Sequence, residues 1–257
     1  MPDPPEELLQ RLREAGEVDL RALLRELAAE LDVPAAQAVL RNPHAGEEVV
    51  RLLANERRLL ASYEMRRDLA LHAATPQPIA LALVGGLYWR DLVAAGLDVR
   101  IRPVVRRFAE QRLIERLPAL AVGEKVAIAR SASPHVLQVL RHDPTPLVIA
   151  ALLDNPRLVE GDLLPLASAE TARAPVLTVI LRHRKWGHRY PVRLAVVRNP
   201  HAPVALALQH LPLLKKPDLR AVASDPRLAL PLRRKAELLV GCRPRRGAGT
   251  RLAHNRR

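Results

Sequence analysis

The stretch Leu181–Arg198 reads LRHRKWGHRYPVRLAVVR and places six bases and two histidines around Trp186 and Tyr190. Arg182, Arg184, Lys185, Arg189, Arg193 and Arg198, joined further on by Lys215 and Lys216, are side chains that neutralise carboxylates or phosphates. Trp186 and Tyr190 could stack on a nucleobase. They could equally pack an inter-helix loop onto its neighbour, because a charge run is often only a solvated face. Gly187 and Pro191 put the centre of the stretch in a turn between two helices. These ten residues are the candidate binding set.

Other side chains offer less. His44, His135 and His201 each follow a proline, and residues spread over separate repeats do not converge as zinc requires. His183 and His188 are five apart with no acid nearby, which is not a metalloprotease pair. Cys242 lies beside Arg243 and Arg245 without a surrounding motif and reads as a lone surface thiol. One cysteine excludes a disulfide framework and a cysteine-rich metal site. No P-loop, Gly-x-Ser-x-Gly or Gly-x-Gly-x-x-Gly occurs. A base-excision site could use Tyr88, Trp89 and Asp91 with Trp186. Asp91 recurs as Asp218 without a companion Trp, however, which points to a helix cap.

The 257 residues hold 41 Lys+Arg against 27 Asp+Glu, a net charge of +14. Residues 1–32 are acidic, with nine acids and four bases. No acid occurs from Thr171 to Pro217, while nine bases do. The final fifteen residues carry six Arg and no acid. Such charge attracts polyanions without naming one. No apolar run is long enough for a membrane span, and the acidic start is unlike a secretory signal. The expectation is a cytoplasmic protein without a membrane partner.

What must position these side chains is helical. Leu20, Leu23, Leu24, Leu27 and Leu31 fall on one helix face, and Leu232, Ala236 and Leu239 on another. Ile79–Leu83 and Val204–Leu208 alternate in bulk, but their Ala content and preceding Pro favour helix over strand. Asn or Asp before Pro, at 42, 155, 199 and 225, reads as an N-cap followed by a first-turn proline. The chain also repeats itself. Leu69–Leu83 and Leu194–Leu208 share seven of fifteen residues at an offset of 125, and after a small gap Asp91-Leu92 matches Asp218-Leu219. Arg106–Glu110 matches Arg233–Glu237, and Arg-Asn-Pro-His-Ala occurs at both 41–45 and 198–202.

The run Pro191–Leu208, with its Val-Arg, Asn-Pro, second Pro and Leu-rich helix, resembles the leucine-rich repeat variant. More broadly, residues 33–240 are similar to HEAT-like α-solenoids. The resemblance implies an all-α, right-handed solenoid of short repeats. The iron–sulfur cluster of the best-known variant-repeat protein does not carry over, for want of cysteines. The expected organisation is an acidic helical cap over 1–32, a repeat domain over 33–240 and a basic disordered tail over 241–257. The resemblance implies a non-catalytic protein-binding scaffold, with no cofactor expected, and the bases of 173–216 point to an acidic protein partner held in a basic groove. Sequence-independent nucleic-acid binding is the alternative, and an AlkD-like DNA glycosylase a more distant one.

Overall fold

The structure is a computed structural model and describes residues 5–27 and 30–241. The tail from Cys242 onward lies outside the described residues. Among the described residues every regular element is a helix, and none is long and apolar enough to cross a membrane. Ile79–Leu83 and Val204–Leu208 are helical, as their composition predicts.

The chain falls into two compact units. The first comprises Met1–Leu140 with Asp154–Arg157, and the second Arg141–Leu153 with Leu158–Arg257. The first unit contains α1 (Pro5–Glu14), α2 (Glu17–Leu27), α3 (Val33–Leu40), α4 (Glu47–Asn55), α5 (Arg57–Ala61) and α6 (Tyr63–Leu71). It continues with α7 (Gln77–Val84), α8 (Trp89–Leu97), α9 (Pro103–Arg116), α10 (Val122–Ser131) and α11 (Pro134–Leu140). The second contains α12 (Pro146–Leu153), α13 (Glu160–Ser168), α14 (Ala174–Arg182) and α15 (Tyr190–Val197). It ends with α16 (Val204–His210), α17 (Lys216–Ser224) and α18 (Leu230–Gly241). Helices this short are not stable alone, and each buries one apolar stripe against its neighbours. In the first unit α1 packs on α3, α3 on α6 and α2 on α4. In the second α12 packs on α14, α13 on α15 and α16 on α18. Leu20, Leu24, Val50, Leu53, Met65 and Leu69 belong to the first core. Val197, Leu211, Val222 and Leu232 belong to the second.

Helices α3, α4 and α6 to α9 of the first unit recur as α13 to α18 of the second at one offset of 127, with no gap. Glu47–Asn55 corresponds to Ala174–Arg182, Trp89–Leu97 to Lys216–Ser224, and Pro103 to Leu230. This corrects the sequence register of 125 over 69–83. Over 69–83 the sequence prefers 125, with seven identities against three at 127, because frequent Leu and Ala match out of register; hydrogen bonds fix the register instead. His72 Nε2 lies 3.1 Å from the Leu40 carbonyl, and Asn199 Nδ2 donates to the Ala167 carbonyl at 2.9 Å, each partner 32 residues back.

The Asn-Pro dipeptides are not N-caps. The helices that follow begin several residues later, at Glu47, Glu160 and Val204. Asn42, Asn155 and Asn199 are instead buried in the turns. Each Oδ1 accepts the N–H two residues on, from His44, Arg157 and His201 respectively. Each Nδ2 donates to two carbonyls near the end of an earlier helix: Leu12 and Ala15, Ala129 and Ala132, Ala167 and Ala169. Carbonyls left open by a helix C-terminus are thereby satisfied from the next turn but one.

Candidate anion-binding edge

The candidate residues gather mainly around the turn from His183 to Arg189 and the helix starts beside it. His183 ends α14, and its Nδ1 accepts the N–H groups of Lys185 and Trp186 at 3.3 Å. Trp186 then turns inward. It is 3% exposed, and its indole N–H donates to the Leu153 carbonyl at 2.9 Å. The stacking role open to Trp186 in the sequence therefore has no exposed ring to act through. Gly187 follows because nothing larger fits: a Cβ there would overlap the Leu181 carbonyl oxygen and lie 3.0 Å from that of His183. Arg193 reaches back and donates to the carbonyls of Gly187 and His188. Arg66 braces the equivalent Leu60 and Ala61 carbonyls in the first unit.

Tyr190 is a strut. Its hydroxyl donates to the Asp218 carboxylate and accepts the Lys215 backbone N–H at 3.0 Å. Lys215 is the N-cap of α17 and Asp218 its third residue, so the phenol completes a cap that a shorter side chain would make alone. Tyr63 does the same for Tyr88 and Asp91. Neither Asp91 nor Asp218 accepts a backbone N–H itself; the cap that their recurrence suggests is made by the phenol each one holds. Burial first, and then the hydrogen bond to a carboxylate, holds both phenols above the ordinary tyrosine range.

Around this scaffold Arg182, Arg184, Lys185, Arg189, Lys215 and Lys216 are exposed. Lys185 Nζ lies 4.2 Å from the Trp186 ring centroid and Lys215 Nζ 4.9 Å from that of Tyr190. None of the six forms an ion pair among the described residues. Arg198 stands apart at the far end of α15, in a groove of about 430 Å³ with Asn199, Glu170 and Arg227. The equivalent groove of the first unit measures about 520 Å³ and is lined by Arg41, Arg67, His72 and Arg100. Among the described residues no three His, Cys, Asp or Glu side chains converge as metal ligands.

Sequence reasoning missed two members of the edge, His188 and His210. Burial above all, and then the charges of Arg193 and His188, hold the His210 imidazole below the usual histidine range. Comparing the copies at offset 127 would have found both, because Ala61 and Leu83 occupy those places in the first unit. Over residues 158–241 there are 14 bases and 6 acids, net +8; over the equivalent 31–114 there are 12 and 9, net +3. The second copy is the basic one.

Compared with protein-family models, curated proteins and solved structures, the chain matches none.

Proposed function

We propose that this chain is a non-catalytic helical-repeat scaffold, a right-handed α-solenoid of the HEAT-like or leucine-rich-repeat-variant kind. Its second unit holds an acidic protein segment. The alternate packing of short helices, α12 on α14 and α13 on α15, supports the repeat reading. One observation carries the function: six exposed cations without ion-pair partners surround one turn, while the Trp186 ring beside them is buried and the Tyr190 hydroxyl is engaged. Charge without an open stacking face suits carboxylates better than bases. Asp218 is the acid within this edge, and Tyr190 occupies it.

The test is fluorescence anisotropy of a labelled glutamate-rich peptide against the chain, with random duplex DNA as competitor. Replacing Arg182, Arg184, Lys185 and Arg189 by Glu is expected to weaken peptide binding by more than tenfold. Unchanged binding removes this turn from the function, and duplex binding tighter than peptide binding replaces the acidic segment by a nucleic-acid backbone.

A further inference from the structure

The duplication supplies an internal control. Both units build this edge on one framework: a tyrosine strut on an N-cap N–H and an aspartate, and an arginine bracing the preceding turn. At five positions on that framework the first unit carries Ala61, Ser62, Leu83, Tyr88 and Trp89. The second carries His188, Arg189, His210, Lys215 and Lys216. The first unit keeps the strut and the brace without any of these five basic side chains. The fold therefore does not demand them; three of the differences bring a permanent positive charge (Arg189, Lys215 and Lys216) and two bring an imidazole, while Arg90 gives way to Pro217.

The edge also carries unmet hydrogen-bonding capacity. Arg193 Nε and His210 Nδ1 are shielded from solvent and have no partner. Arg106 Nε, Ser133 Oγ and Arg233 Nε are in the same state elsewhere, so these two atoms count only together with the cations gathered around them. Arg189 and Lys215 are moreover the N-caps of α15 and α17, whose open N–H groups add positive potential. The opposing charge is Asp218, already engaged by the Tyr190 hydroxyl.

We propose that this edge of the second unit is a phosphate site, so that the acidic segment it holds is a phosphorylated one. The phosphomonoester sits among His188, Arg189 and Lys215, with Arg193 and His210 behind them. This rests on the reading that the second unit binds an acidic segment. A carboxylate brings one charge and two oxygens, too few for so many donors. A phosphomonoester brings about −1.5 to −2 charges at neutral pH and three acceptor oxygens, and charge-assisted bonds to it are the strong kind.

The experiment compares two labelled peptides of equal net charge, one carrying phosphoserine and the other two glutamates in its place. Each is titrated against the full chain by anisotropy at about 0.15 M salt. The phosphopeptide is expected to bind about tenfold more tightly, the equivalent of ~1.4 kcal/mol. A variant carrying the first unit's residues, His188→Ala, Arg189→Ser, His210→Leu and Lys215→Tyr, is expected to abolish that preference while keeping its helical circular-dichroism spectrum. Should it not fold, Arg189→Ser and Lys215→Tyr separately are expected each to reduce the preference, and a preference intact in both overturns the site. Equal binding of the two peptides overturns the phosphate assignment and leaves the acidic-segment reading standing. Binding of neither overturns both.

Discussion

Asn199 shows how much structure one side chain can hold. It is 3% exposed, with both functional atoms engaged inside the second unit. Asn199→Ala strands the Ala167 carbonyl and the His201 N–H, while the Ala169 carbonyl keeps the Ala172 N–H, and stranded groups cost roughly 1–3 kcal/mol each, partly recovered by water. A loss of about 3 kcal/mol is expected in urea denaturation, and a loss below about 1 kcal/mol would contradict the role assigned to it. Asn42→Ala should behave alike, having the same pattern of partners. The tyrosine struts make a different prediction, in pH. Both phenols titrate above the ordinary value of 10.0, so the folded state favours their protonated form. Their contribution is intact below about pH 10 and is lost as pH rises through the raised values. The variant carrying Tyr63→Phe and Tyr190→Phe should be less stable at pH 8 but show a flatter fall between pH 9 and 11. Equal slopes would remove the struts from the account.

At the scale of elements, helix periodicity was plain in the sequence, because Leu and Ala stripes need only local spacing to be recognised. Leu20 and Leu24 of α2, and Leu232 and Ala236 of α18, are buried as that spacing requires. Turns were less legible. The Asn-Pro pairs looked like caps because a cap is the local use of Asn. Their actual partners lie 23 to 32 residues back in sequence, beyond the reach of local reasoning. The turn after α14 is equally dependent on packing. The first unit carries Leu60 within α5 where the second has Gly187, so one position is helical in one copy and a tight turn in the other. Gly187→Ala forces a Cβ into the Leu181 carbonyl. Backbone must move to admit it, at a cost of about 2 kcal/mol or more. Thermal melting should show a clearly lowered midpoint, and an unchanged midpoint would mean the turn relaxes freely.

For the whole molecule, the duplication separates what the fold needs from what the surface has acquired. The second unit's net +8 over 158–241, against +3 over 31–114, locates the excess charge in one copy. Arg57 and Arg58 stand where the second unit has Arg184 and Lys185, so Arg57→Glu with Arg58→Glu is the control matched in charge to Arg184→Glu with Lys185→Glu. It should leave acidic-peptide affinity within about twofold at about 0.15 M salt, because the first unit lacks the other basic side chains of the edge. Loss comparable to that from the second-unit substitutions would show the binding to be mere bulk charge. The sequence by itself determined the helical class, the existence of an internal repeat, and a basic segment around 181–198, because composition and periodicity are local properties. Only the tertiary structure decided the repeat register: over 69–83 the residues match better at 125, with seven identities against three at 127, while the hydrogen-bond partners match at 127. It also turned Trp186 inward, bound Asp91 and Asp218 to the Tyr63 and Tyr190 hydroxyls, and brought His188 and His210 to Arg193. Each of those outcomes depends on which surfaces meet, a matter of packing that spacing along the chain does not encode.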